Sequence, residues 1–264
     1  MCECISLTIA ISAYNKTITK LVLPNPEENL KLIIIHQVSY DEGTYADSYS
    51  KLLKNRPDVK IHSFNEVGLS LSRNRAIEYA DTDYIIFSDD DNHYIRNVGE
   101  KVRNQIVKYD FPAFLSFTIE DENGNFFKRY NNTPFKHNKR SILRLSSIEN
   151  AYNLQFIKNN KISFDENFGL GATYPSCEQP IFASSILSKC GVGYFVPITI
   201  TYHPLENSGE DFYTNKQALA RKKMLSIVYG QVLGRIFYLA FVLRKLKSVP
   251  SGFKWKFSVS AFLF

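Results

Sequence analysis

The stretch that most constrains the fold is Tyr84–Asn92, YIIFSDDDN. Tyr84 to Phe87 is a continuous apolar run with two β-branched residues, which suits a short strand buried on both faces of a sheet. It runs directly into Ser88, Asp89, Asp90 and Asp91. Three adjacent carboxylates repel one another, and packing alone has no use for them there. At the carboxyl end of a buried strand they stand where open α/β sheets bind their ligands. In extended chain Asp89 and Asp91 point to the same side, roughly 6.6 Å apart. A hard divalent cation, Mn2+ or Mg2+, would relieve the repulsion and take phosphate oxygens and water as further ligands. The alternative is a solvated acidic turn in which Asp90 or Asp91 caps the next helix.

The segments before it read as the rest of an α/β sheet. Ile5–Ser12 is apolar and β-branched, a first buried strand that ends at Ala13, Tyr14 and Asn15. An aromatic ring at a strand's carboxyl end is placed to stack on a base, or simply to pack in a turn. Leu30–His36 is a second strand, followed by Gln37, and Val59–Phe64 a third, with a helix fragment over Asp47–Lys54 between them. Strand, helix, strand in this order predicts parallel pairing and right-handed crossovers. After Gly68, a Ser-rich stretch opens a helix from Ser70 to Tyr79 with Arg73 in its first turns. A helix amino terminus plus an Arg at a sheet's carboxyl edge favours a phosphate; a plain basic, solvent-facing helix is the other reading.

Beyond the acidic cluster, His93–Tyr109 reads as a helix and Ala113–Ile119 as a strand. The Asn-Gly at 123–124 turns a hairpin back through Phe126–Tyr130. Lys136–Arg144 is a basic loop and Ile148–Asn159 a helix. Ile162–Phe182, ISFDENFGLGATYPSCEQPIF, is the second informative stretch. Gly169 and Gly171 make a bend, and Glu178 precedes an apolar helix over Pro180–Lys189. A carboxylate beside such a bend suits a general base for a sugar hydroxyl, and it equally suits the dipole at a helix start. A last strand, Gly193–Tyr202, ends at His203, and HPLENSG follows as a polar bend.

Charge separates the body from the end of the chain. From Phe212 to Phe264 there are ten Lys or Arg and no Asp or Glu, so the formal +6 divides into a body at −4 and a tail at +10. Met224–Leu243 is apolar but interrupted by Gln231 and Arg235. An Arg near the centre of a membrane span costs roughly 2.5–3.5 kcal/mol, so an amphipathic helix lying on an anionic membrane surface fits better than a span. The competing reading is a helix packed on the body or on the other copy of a homodimer. The four cysteines, Cys2, Cys4, Cys177 and Cys190, lack zinc-type spacing and read as free thiols in a reducing compartment. No basic region followed by an apolar region opens the chain, so no signal peptide is expected.

Five pieces in order, SAYN, GLSLSRNRAI, FSDDDN, FDENFGLGATYPSCEQPIF and HPLENSG, resemble family 2 glycosyltransferases of the GT-A fold. The resemblance runs over most of residues 5–210. It implies an α/β fold: a Rossmann-like, mixed but mainly parallel central sheet flanked by helices, followed here by a basic amphipathic C-terminal helical tail. Residues 1–211 would form the catalytic domain, with a nucleotide-sugar half (1–92) and an acceptor half (93–211), and 212–264 the membrane-associating tail. The implied reaction is an inverting transfer of sugar from a nucleotide-diphosphate donor, a UDP-sugar, to a hydroxyl of a lipid-linked or oligosaccharide acceptor in bacterial surface polysaccharide synthesis. The enzyme would work at the cytoplasmic face of the inner membrane. The resemblance assigns donor contacts to Ala13, Tyr14, Asn15, Gln37, Gly68, Arg73, Asp89 and Asp90. Metal ligation by Mn2+ or Mg2+ falls to Asp89, Asp91 and His203, and acceptor contacts to Gly169, Leu170, Gly171 and Gln179.

Two departures from the family pattern stand out. Where the family carries Glu-Asp at the start of its late helix, this chain has Glu178-Gln179. An amide cannot take a proton as a carboxylate does, so the base is Glu178, or Asp165, or the protein is an impaired glycosyltransferase-like binder or scaffold. After the second strand His36 and Gln37 replace an acidic pair. A nucleotidyltransferase shares acidic metal chemistry but needs a glycine-rich triphosphate loop that the first strand does not lead into. Nucleic acid is not expected as a partner, because the tail is too apolar between its charges to track phosphates.

Overall fold

The computed structural model describes residues 5–39, 44–203 and 212–260. Its first half is a parallel sheet: β1 (Leu7–Tyr14), β2 (Leu30–Gln37), β3 (Val59–Phe64) and β4 (Tyr84–Asp89), in the spatial order β3-β2-β1-β4. The crossovers carry helices α1 (Ala46–Leu53) and α2 (Leu69–Tyr79). Strands β1, β2 and β4 are buried on both faces, while β3, at the edge of the sheet, is buried only at Val59. Leu7, Ile9, Leu32, Ile34 and Ile86 enter one apolar cluster, while their neighbours Ala10, Ile33, Ile35, Ile85 and Phe87 enter another. That two-sided burial explains why these strands read as unbroken apolar runs. The register sets Ser12 opposite Asp89, Tyr14 opposite Gln37, and Gln37 opposite Phe64. The carboxyl ends of all four strands therefore share one edge.

The second half extends the sheet with mixed pairing. Its elements are β5 (His93–Tyr94), α3 (Val98–Lys108), β6 (Phe114–Glu120), β7 (Phe135–Lys136), β8 (Asn150–Asn153), α4 (Leu154–Asn159), α5 (Glu178–Ser188) and β9 (Gly193–Tyr202). The order continues β4-β8-β6-β9-β5, with β7 also on β9. The described residues thus form a nine-stranded, mixed and mainly parallel sheet with helices against it, the fold class expected from the sequence.

Several expected elements in this half differ. The helix expected over His93–Tyr109 is split: His93 and Tyr94 pair antiparallel with Tyr202 and Thr201, and the helix starts only after Asn97 in a left-handed conformation. The helix expected over Ile148–Asn159 is also split. Asn150–Asn153 fills the slot between β4 and β6, and the Asn153 side chain then caps α4 by accepting from Phe156 N (2.8 Å). The hairpin return at Phe126–Tyr130 reduces to one bridge, Glu120 to Phe126, because Asp121 ties the turn by accepting from Asn123 and Asn125. The basic loop is partly ordered, as β7 and a 3-10 turn at Ser141–Arg144. Helix α5 begins at Glu178, two residues before Pro180, which a first turn tolerates.

The single amphipathic helix expected over Met224–Leu243 is two helices. Gly230 separates α6 (Asn215–Tyr229) from α7 (Gln231–Lys245), and α8 (Lys254–Val259) follows. Ala218, Met224, Leu225 and Val228 of α6 bury against Phe168 and Ile181, so α6 is part of the core. Burial of each large apolar side chain there contributes about 1.5–3 kcal/mol. The opposite face of α7 is uncovered: Val232, Ile236, Leu239 and Leu243, at helical spacing, are all exposed, up to 72% for Val232. Trp255 on α8 is 78% exposed. No helix among the described residues is long and apolar enough to cross a membrane.

Candidate active site

The sheet edge at the carboxyl ends of β1 to β4 carries the residues expected to meet a donor. Ala13 is buried, and Tyr14 beside it is 42% exposed, leaving a ring at the end of β1. Asn15, with a left-handed backbone, clamps the end of β2: its amide donates to Ser39 Oγ and its Oδ1 accepts from Ser39 N, both at 2.8 Å. His36 is fully buried, its ring between Tyr49 Oη (2.7 Å) and the Asn15 carbonyl (2.8 Å), and burial pushes its pKa down. Gln37 is also buried. Its amide makes two 3.1 Å hydrogen bonds to the backbone of Gly68, one donated to the carbonyl and one accepted from the N–H. The pair that replaces the family's acids thus fixes loops in this structure: Gln37 holds the start of α2, and His36 holds the end of β1.

The acidic run divides. Strand β4 ends at Asp89 and the chain turns at Asp90, so the extended backbone expected between Asp89 and Asp91 does not occur, and the two take different partners. Asp89 Oδ1 accepts from Arg73 Nη2 (3.1 Å) and Oδ2 from Ser147 Oγ (3.3 Å). Arg73 has no exposed surface, and its Nη1 donates to Glu178 Oε1 at 2.9 Å. The Arg expected on the diphosphate is therefore a brace beneath the cleft, joining a strand end in one half to a helix start in the other. Asp90 accepts a bond from Thr17, yet burial, helped by its acidic neighbours, pushes its carboxyl above the usual range. Asp91, within the turn, faces His203 Nε2 at 3.4 Å, and that contact holds its carboxyl below the usual range. His203 reaches it because β5 pairs with the end of β9. The remainder of HPLENSG lies outside the described residues.

The Gly169–Gly171 bend rests on the parallel half of the sheet. Gly169 and Gly171 have φ of +103° and +81°, where a side chain would be strained. A Cβ on Gly169 would stand 3.0 Å from Ser70 Oγ, and one on Gly171 3.3 Å from the Gly68 Cα. The bend is pinned to α2 by Leu69 N to the Leu170 carbonyl (2.9 Å) and Ser70 Oγ to the Phe168 carbonyl (2.5 Å). Leu170 is exposed above it. Cys177, also left-handed, swings the chain into α5 and delivers Glu178 and Gln179. Gln179 is buried, accepting from Tyr152 Oη (2.8 Å) and donating to the Ser147 carbonyl (3.2 Å). Asp165 is not brought to the site: its Oδ1 accepts from Asn167 N (3.0 Å) and Nδ2 (2.8 Å) in a local turn.

These parts enclose a cleft of about 280 Å³ lined by Asp89, Leu170, Glu178, Gln179 and His203, with Arg221 and Met224 of α6. Glu178 Oε1 is taken by Arg73, and Oε2 has no hydrogen-bond partner among the described residues. Among those residues no group of three or more His, Cys, Asp or Glu is gathered for a metal. Asp91 and His203 are the two donors that meet, and Asp89 is engaged elsewhere. A carboxylate and an imidazole fit a divalent ion whose other ligands come from a diphosphate and water.

Sequence reasoning missed Ser147, Tyr152, Cys177 and the α6 wall. Ser147 was legible in principle, since Ser146 and Glu149 form the capping box that positions it. Tyr152, Cys177 and α6 act through tertiary contacts that leave no local pattern.

A family model described as glycosyl transferase family 2 matches residues 8–171, ending before Glu178 and His203. No curated protein sequence matches. Among solved structures, S. aureus TarS 1–349 in complex with UDP-GlcNAc superposes with a TM-score of 0.65 at 16% identity, covering 97% of this chain and 79% of that one. Its UDP complex gives 0.62 and 16%, covering 92% and 72%. A longer TarS structure gives 0.62 and 17%, and the match covers 94% of this chain but only 45% of that one. At these identities the likeness is one of fold.

Proposed function

This chain belongs to glycosyl transferase family 2, and from that premise we propose that it inverts the anomeric centre of a UDP-sugar while transferring the sugar to a hydroxyl of a lipid-linked glycan. It is a glycosyltransferase acting on a nucleotide-sugar donor. The single observation that carries the site assignment is the Asp89–Arg73–Glu178 chain, which fixes a strand-end acid and a helix-start acid around one buried guanidinium.

The Tyr14 ring offers the base a stacking face, and Asn15, Gln37 and Gly68 shape the loops around it. Asp91 and His203 would hold Mn2+ or Mg2+, which when bound supplies a Lewis acid for the leaving diphosphate. Glu178 Oε2 takes the proton of the acceptor hydroxyl as its oxygen bonds to the anomeric carbon. The bond from that carbon to the diphosphate breaks on the opposite face, and the nucleoside diphosphate leaves with the electron pair. Arg73 is a positioning residue that orients Glu178 and offsets the charge of Asp89. The Gly169–Gly171 bend and Leu170 form the acceptor side and exclude water. The uncovered apolar face of α7, Trp255 and the tail's cations suit an anionic membrane surface at the cytoplasmic face, in surface polysaccharide synthesis.

Gln179 favours a second reading, a nucleotide-sugar binder without turnover. The Glu178→Gln variant separates the two. Release of UDP from UDP-GlcNAc, with and without added glycan, is expected to fall about 10²- to 10⁴-fold in kcat while UDP affinity is kept. A wild type that binds UDP but never turns over on a broad sugar and acceptor panel makes the binder reading the correct one.

A further inference from the structure

A second cavity, of about 900 Å³, lies beside the cleft and shares Leu143 and Leu145 with it. Five cations line it: Lys128, Arg129, Arg140, Arg144 and Arg244. Its one acid, Glu149, is committed to Lys128 at 2.7 Å. Four guanidiniums are therefore left without a balancing carboxylate in the cavity, in a body that is otherwise net acidic. Arg129, Arg140 and Arg244 are exposed and form no ion pair among the described residues. Like charges gathered this way repel one another, and a bound anion would relieve the repulsion. Aromatic rings line it too: Tyr130 and Phe195 stack 6.0 Å apart with 4° between their planes, Phe135 lies 5.1 Å from Phe195, and Lys128 sits over the Tyr130 ring at 5.3 Å. Flat aromatic faces beside guanidiniums suit a sugar ring carrying an anionic group better than a bare ion. Arg244 and Phe241 come from α7, so the tail completes the cavity.

We infer that this cavity is an extended acceptor subsite that holds a phosphate-bearing glycan, with its anionic group on the guanidiniums and its reactive hydroxyl reaching Glu178 past the Leu143–Leu145 wall. The inference rests on the glycosyltransferase reading of the cleft and names the acceptor's chemistry. A lipid phosphate headgroup reaching in beside α7 would present the same anion, so the test separates the two sources.

The experiment is calorimetric titration of inorganic tripolyphosphate into the full-length chain at about 100 mM salt, where charges more than about 10 Å apart are screened. Wild type, Arg140→Glu/Arg244→Glu, Arg129→Glu and Asp91→Ala are compared. The account expects wild-type binding, a loss of about tenfold or more in the double variant, and no change in Asp91→Ala. Arg129→Glu gives an independent reading if the double variant misfolds. Equal binding by wild type and the charge-reversed variants overturns the inference, and so does tighter binding by Asp91→Ala, which with no metal present would put the anion beside that carboxylate in the donor site. Unchanged tripolyphosphate binding with lost binding to phosphatidylglycerol vesicles also overturns it, making the cations a membrane contact. A parallel titration with UDP and Mn2+ judges the cleft separately, because its failure leaves the tripolyphosphate result standing.

Discussion

The two halves of the sheet place their functional side chains by different means. In the parallel half, strand register does the work: Tyr14, Gln37 and Asp89 arrive at one edge because the parallel strands end together. In the mixed half, irregular backbone does it. Glu178 and Gln179 are delivered by a left-handed Cys177 after a bend that only Gly169 and Gly171 allow, and that bend is fastened to the other half's α2. Positions set by register tolerate local change, whereas positions set by loops depend on the contacts that hold them. Arg73 joins the two systems, so the comparison can be tested there first.

Replacing Arg73 with Met is expected to give the largest effect. It leaves Glu178, buried, and Asp89, partly buried, without their shared cation, and breaking such a group from one side costs about 3–5 kcal/mol. Urea unfolding measures this. A loss below about 1 kcal/mol would mean that the halves are not braced through this guanidinium.

A somewhat smaller effect separates the halves by pH. His137, in the mixed half, is buried between Ser116 Oγ (2.7 Å) and Ser141 Oγ (3.0 Å). Burial, with Lys128 nearby, pushes its pKa down to about 4. The unfolded chain takes up this proton near pH 6.5 and the native chain does not. Its stabilising contribution is therefore complete above pH 6.5 and falls by up to about 3 kcal/mol as pH drops toward 4. His137→Gln should flatten that part of the stability profile. An unchanged slope would show that His137 is not the group responsible.

The smallest effect on stability is expected at the tail. Ile236→Glu, on the uncovered face of α7, should change unfolding free energy by less than about 0.5 kcal/mol while abolishing sedimentation with anionic vesicles. A large loss of stability would mean that this face packs on protein instead.

The same contrast explains what was legible in the sequence. Apolar, β-branched runs such as ISLTIAIS and YIIFSD suit strands in the middle of a sheet, so β1, β2, β4 and the ligand edge followed directly, while the alternating VKIHSF marked the edge strand β3. The split of the acidic run did not. Alternation puts Asp89 and Asp91 on one side only while the chain stays extended, and it turns at Asp90. Asn150–Asn153 and His93–Tyr94 read as helix because their strand character comes from partners far along the chain. The tail's charge and apolarity were visible, but its division at Gly230 and the burial of α6 on Phe168 and Ile181 depend on packing that periodicity does not record.

The central claim is that the turn after β4 forms a donor-diphosphate site in which Asp91 and His203 act together. The most direct test is calorimetric titration of UDP, GDP, CDP and dTDP, each with and without Mn2+, into wild type and Asp91→Ala. The account predicts Mn2+-dependent binding of UDP that weakens at least about tenfold in Asp91→Ala. Equal binding by the variant, or no nucleotide binding by the folded wild type, would contradict it.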